Sequence, residues 1–151
     1  AGHVVLTGGY MGNMEAVSRG ASEAGAHVIG VTCDEIEKWR PLKPNAWITE
    51  ERRFPPLTQR IMALIMEAQA AFALPGGPGT LTEISLMWNL LLTTAISPRP
   101  LVLIGEGWST TFNTIFEKMG NYIPQDQRKW SSFAPDVDAG IHLLDSVIHQ
   151  S

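Results

Sequence analysis

The run Pro75-Gly76-Gly77-Pro78-Gly79-Thr80-Leu81-Thr82-Glu83 places three glycines and two prolines within five residues, then a hydroxyl and a carboxylate. Glycine lacks a Cβ and accepts positive φ, so such a loop lets backbone approach a ligand closely. Between an apolar strand and a helix, its N–H groups and the helix dipole favour an anion, and the Thr80 hydroxyl adds a donor. The spacing is neither the dinucleotide fingerprint nor a P-loop, since no Gly-Lys-Ser/Thr follows. NAD binding and ATP hydrolysis are therefore not expected. The competing reading is a tight turn with a capping box, in which Thr80 caps the helix and Glu83 reaches back to its backbone. The density of glycine and proline exceeds what a cap requires, which favours a phosphate site made by Pro75, Gly76, Gly77, Gly79 and Thr80.

A second glycine loop, Gly8-Gly9-Tyr10-Met11-Gly12-Asn13-Met14-Glu15, also follows an apolar segment and opens a helix. Alone it is a weak signal. Paired with the first, it gives the expectation that two loops at one sheet edge hold the two ends of one nucleotide, with Gly8, Gly9, Gly12 and Met14 in the second. Arg60 sits beside Ile61, whose place on the core face puts Arg60 on a flank where an arginine is ordinarily solvated. His3, His27, His142 and His149 show no metal-ligand spacing. Glu50-Glu51-Arg52-Arg53 reads as a solvated charged turn. Cys33 has no activating partner in sequence and reads as a structural thiol. Trp108 and Trp130 read as packing residues.

The elements that must position these residues alternate. Val4–Thr7 reads as a short buried strand and Gly12–Glu23 as a helix with Met14, Val17 and Ala21 on one face, ended by Gly25. His27–Val31 is a second strand, an irregular stretch holds Pro41 and Pro44, and Trp47–Thr49 is a brief strand. Leu57, Ile61, Leu64, Ile65 and Ala68 recur at helical spacing, and Ala70–Leu74 is a strand running into the glycine loop. The helix Thr80–Leu92 is apolar almost all round and predicts burial on more than one side, with a subunit interface as one cover. Pro100–Ile104 is a strand, and Ser109–Met119 and Val137–His149 are helices. Strands alternating with helices predict an α/β fold, a Rossmann-like parallel sheet with helices on both faces and right-handed crossovers. No repeat or linker interrupts it, so residues 1–151 read as one domain. The chain reaches a core strand after only Ala1, Gly2 and His3, so either the sheet is small or a partner strand is missing.

With 151 residues and 44% hydrophobic content, the chain has enough apolar material for a core, which excludes wholesale disorder. A formal charge of −4 argues against a nucleic-acid surface. The single cysteine excludes an internal disulfide and a cysteine-rich zinc site. No signal peptide is read, nor an apolar run of the roughly 18 residues a membrane span needs. A cytoplasmic protein that binds neither nucleic acid nor membrane is expected.

The loop PGGPGTLTE matches the PGGxGTxxE signature of the LOG (LONELY GUY) family, long labelled "lysine decarboxylase-like". The segment GGYMGNMEAVSRGA resembles that family's first glycine loop, and the likeness runs from about Val4 to Ile104. The resemblance implies a Rossmann-like homodimer or higher homo-oligomer with its active site near the subunit interface. It implies hydrolysis of a nucleoside 5′-monophosphate, AMP or a cytokinin-type nucleotide, to free base and ribose 5-phosphate, with no cofactor and no metal. Arg60 and Glu83 correspond to the family's catalytic arginine and signature glutamate. The alternative it leaves open is a non-catalytic carrier of a nucleotide or a molybdenum cofactor on the same fold. A decarboxylase lacks chemical support, since neither loop has a lysine to anchor a pyridoxal cofactor. The chain departs from the family pattern at Thr7, Glu15, Ile61 and Pro78, and the family's first βα unit is missing from it.

Overall fold

The computed structural model describes residues 2–148, so His149 lies outside the described residues. The chain folds as two compact units, Ala1–Ala68 and Gln69–Ser151, each with its own three-stranded parallel sheet flanked by helices.

In the first unit the sheet order is β1 (Val5–Thr7), β2 (Val28–Cys33) and β3 (Glu50–Phe54). All six residues of β2 are buried, as expected of a middle parallel strand covered on both faces. Between β1 and β2 runs α1 (Asn13–Glu23), and between β3 and the end of the unit runs α3 (Leu57–Glu67). Ile29, Val31 and Ala63 form the core, packed by Leu6, Phe54 and Leu64. The buried residue of α1 is Ser18, between Met14 and Val17 on one side and Ala21 on the other. Its hydroxyl donates to Met14 O at 2.9 Å, which satisfies it inside the helix. Cys33 is buried at the end of β2, its thiol directed at Pro55 O at 3.5 Å.

Two readings change here. The strand expected at Trp47–Thr49 falls instead at Glu50–Phe54, so the charged quartet is a strand and not a turn. It is one of the two outer strands of its sheet, and its charges are paired. Arg52 meets Glu50 and Glu67, and Arg53 meets Asp34, Glu37 and Glu51. Charge on an outer strand also guards against edge-to-edge pairing. The stretch after β2 also contains a short helix, α2 (Asp34–Trp39), whose three acidic residues lie in its first turn, where the helix dipole favours them.

In the second unit the order is β4 (Ala71–Ala73), β5 (Leu101–Ile104) and β6 (Ser132–Ala134), with β5 buried throughout. α4 (Pro78–Leu92) joins β4 to β5; α5 (Glu106–Lys118) and the short α6 (Gln125–Arg128) lead to β6; α7 (Val137–Ile148) follows. The elements α6 and β6 were not expected, being too short for a periodic signal. α7 lies close to its sheet because Gly140 faces it: a Cβ there would be 2.7 Å from Ile104 Cδ1 and 2.8 Å from Phe72. On the other side Phe112, only 1% exposed, touches the rings of Trp88, Trp108, Phe116 and Phe133 with centroids 5.7 to 6.5 Å apart. Trp108 thus packs as expected. Among the described residues no helix is long and apolar enough to cross a membrane.

Because Phe112 is the ring shared by four others, Phe112→Ala is expected to cost about 3–5 kcal/mol. Urea denaturation followed by tryptophan emission checks this.

Candidate functional site

Each unit presents one glycine loop at the carboxyl end of its first strand, where open α/β sheets bind ligands. The loop after β4 is the more open. Residues 75–79 are all exposed, and Gly77 is the N-cap of α4, with no side-chain hydrogen bond to the cap. Pro78 takes the first helical position, which suits its fixed φ and missing N–H. The helix therefore starts two residues earlier than expected. Thr80 is its third residue and not its N-cap, and the capping-box reading fails on that geometry. Thr80 instead folds back over the loop: a Cβ on Gly76 would overlap the Thr80 hydroxyl. Glu83 is half-buried on the next turn.

The floor of this loop is fixed from below. Trp108 donates its indole N–H to Leu74 O at 3.0 Å, one residue before Pro75. Gly105, at φ 97°, donates to Ala134 O at 2.8 Å and opens α5 beside the Pro75 ring. Chemically, this is a backbone-amide surface at a helix N-terminus, able to take a phosphate, with a hydroxyl and a carboxylate on the first two turns.

The loop after β1 is built differently. Thr7 turns its hydroxyl to accept the Gly9 N–H at 3.0 Å. Asn45 donates its backbone N–H to Gly9 O at 2.8 Å and its side-chain amide to Tyr10 O at 2.9 Å. Gly9, at φ 75°, also passes within 3.1 Å (measured from an added Cβ) of Gly30 Cα, so strand and loop touch backbone to backbone. Gly12, at φ 70°, is the N-cap of α1 and has no side-chain cap bond. Met14 packs its sulfur against Gly8, where a Cβ would overlap both Met14 Sδ and Arg60 Nη2.

Arg60 is not a solvated flank residue. It is 6% exposed, with Nε donating to Val31 O at 2.8 Å and Nη2 to Gly8 O at 3.3 Å. Its guanidinium stands 5.8 Å from the centroid of the Tyr10 ring. A buried cation is retained only where acceptors replace its water, and the carbonyls of Val31 within β2 and of Gly8 just past β1 do so here. Sequence periodicity put Arg60 beside the core face; the carbonyls that draw it inward are set by the fold alone.

Tyr10 and Asn45 were not singled out from sequence, although Tyr10 lies inside the first motif. Tyr10 is 1% exposed; Cys33 N–H donates to its Oη at 2.7 Å, and its own proton faces Glu37 Oε1 at 3.1 Å. Burial, more than the neighbouring Glu37, raises its pKa, so the phenol stays protonated. Glu37 is held below the usual carboxylate range, first by the Arg53 guanidinium, whose Nη2 lies 2.6 Å away. Glu50 is lowered in the same way by Arg52 and then His27.

Residues 14–144 match the family model described as "Possible lysine decarboxylase", and the chain belongs to that family, the LOG family. It is 27% identical over 150 residues to a probable cytokinin riboside 5′-monophosphate phosphoribohydrolase of rice, Oryza sativa subsp. japonica. That match covers 96% of this chain and 64% of the rice protein, so the chain spans just under two thirds of its relative's length. Two solved structures share the fold at 21% identity. One is the molybdenum cofactor binding protein of the phototrophic bacterium Rippkaea orientalis, at a TM-score of 0.72 over 96% of this chain and 77% of that one. The other is the molybdenum cofactor carrier protein of Chlamydomonas reinhardtii, at 0.69 over 97% and 78%.

The Glu37 and Glu50 shifts fix a sign. Both folded pKa values lie below the ordinary value of 4.5, so their stabilisation is complete above it and is lost as pH falls through the folded values. Lowering pH from about 6 to about 3 is expected to weaken the first unit, and Glu37→Gln to flatten that dependence; denaturant midpoints across the range check it. A second expectation is steric. Gly8→Ala must push Arg60 or Met14 aside, and is expected to cost about 1–3 kcal/mol, read from the same midpoints.

Proposed function

We propose that the chain serves hydrolysis of the N-glycosidic bond of a nucleoside 5′-monophosphate, giving free base and ribose 5-phosphate. The observation that carries this is the exposed Gly76–Gly79 loop at the start of α4, followed by Thr80, with Glu83 one turn further along the same helix. Membership of the LOG family and the likeness to the rice phosphoribohydrolase support it.

In this mechanism the amides of Gly76, Gly77 and Gly79, with the Thr80 hydroxyl, hold the 5′-phosphate. Phosphate binding then orients the sugar, so energy from the non-reacting end of the substrate lowers the barrier at the reacting end. Cleavage passes through an oxocarbenium-like ribose, and the Glu83 carboxylate stabilises that charge and orients the attacking water. The C1′–N bond breaks, the water oxygen bonds to C1′, and its released proton ends on the departing base. Within the first unit, Arg60 is a guanidinium able to take anionic oxygens by charge-assisted hydrogen bonds, and Gly8, Gly9, Gly12 and Met14 shape the loop around it.

A second reading follows from the fold neighbours: a carrier that binds a nucleotide or a pterin-type molybdenum cofactor without turning it over. The Thr7 hydroxyl favours it, because the Gly9 amide it occupies is no longer offered to a phosphate. The same Gly76–Thr80 surface suits the phosphate of such a pterin, and its remaining chemistry would belong to the cofactor.

Incubation with AMP, GMP, CMP and UMP, with chromatography of the products, separates the two. Base release by the wild type, with Glu83→Gln reduced at least about 100-fold yet still binding the nucleotide, is the expected result. If no base is released while a nucleotide or pterin phosphate binds, the carrier reading replaces the enzyme.

A further inference from the structure

One buried group in the first unit has no part in the proposed chemistry yet sits inside the first glycine loop with its ring beside Arg60. Tyr10 lies in the middle of the first glycine loop, and its hydroxyl reaches away from it, to the end of the central strand. There Oη accepts the Cys33 N–H at 2.7 Å and directs its single proton to Glu37 Oε1 at 3.1 Å, with Cys33 O at 3.2 Å as the other acceptor. Glu37 is itself gripped by both Arg53 nitrogens, at 2.6 and 3.0 Å, and Arg53 is anchored on β3 and tied to Asp34 at 2.6 Å. The face of the Tyr10 ring is turned to the Arg60 guanidinium, and its carbonyl is held by Asn45.

This arrangement is more specific than core packing requires. A phenylalanine would fill the same space, whereas the hydroxyl completes a chain from Arg53 through Glu37 to the ring under Arg60. The ring cannot swing away about its Cα–Cβ bond without breaking the bond from the Cys33 N–H of β2, and moving Arg60 off Gly8 O carries it away from the ring face beside it. Arginine over an aromatic face is attracted by the ring quadrupole, and the attraction is larger where water is excluded.

We propose that Tyr10 is a positioning residue. Its hydroxyl, fixed by Cys33 and the Glu37–Arg53 pair, locks the ring that sets Arg60 and the Gly8–Gly12 loop for the anionic ligand. This rests on the proposed function for the ligand but not for the geometry. Glu37 and Arg53 then act on ligand affinity without touching ligand.

The test uses the full chain. Tyr10→Phe keeps the ring and removes the hydroxyl; Glu37→Gln keeps Tyr10 and weakens its acceptor. The Arg60 Nε–H resonance and its exchange rate report guanidinium placement, and calorimetry with AMP reports affinity. Expected are a displaced, faster-exchanging Arg60 signal in both variants and a loss of AMP affinity of about tenfold in Tyr10→Phe. In an Arg60→Lys background, Tyr10→Phe should cause no further loss. An unmoved Arg60 signal in folded Tyr10→Phe overturns the proposal, as does an equal affinity loss with and without Arg60. If the wild type binds no nucleotide, the function proposed above fails, and the Arg60 signal alone then decides the role of Tyr10.

Discussion

In each unit the middle strand of a parallel sheet is buried along its whole length, and most of what surrounds it follows from that. A strand covered on both faces has no water to satisfy its backbone, so every N–H and C=O must find a partner in a neighbour or a side chain. Parallel neighbours meet this demand only if each connection crosses back over a face, which places the helices and sends every strand out at the same edge of its sheet. The strand ends are where the ladder stops. The carbonyl left at Gly8 draws in Arg60, the amide left at Cys33 draws in Tyr10, and the carbonyl at Leu74 is met by Trp108.

The two glycine loops answer this constraint in opposite ways. The first is closed by its own side chains: Thr7, Asn45, Tyr10 and Arg60 each take a backbone group of the loop or of the strand beside it. The second is held at its base by Trp108, and its residues 75–79 are exposed at the start of α4. A loop so thoroughly bonded holds a fixed shape, whereas one with exposed amides can exchange water for a ligand. The chain thus combines a preset loop with a receptive one, a division that suits ligand binding by preorganisation.

The fold class was legible in the sequence because its signal is repetitive: apolar runs at β2 and β5, helical spacing in α3, and glycine loops between. The site was legible where it is local, as in PGGPGTLTE. It was misread where a residue answers to a distant backbone. Arg60 looks solvated by its neighbours in sequence, and only the carbonyls of Val31 and Gly8 explain its burial. The quartet Glu50–Arg53 looks like a turn because its charges balance within four residues, but partners on α2 and α3 allow it to be a strand. Asn45 carries no pattern at all, since its role is to bond a loop more than thirty positions away.

Cys33 carries a practical consequence. The chain has one thiol, it is enclosed at the end of β2, and it belongs to the first unit alone. Only a thiolate reached by solvent reacts with an alkylating reagent. The alkylation rate of the native protein therefore counts the openings that bring solvent to the end of β2. The sequence contains its own clock for that strand end, with no label to install.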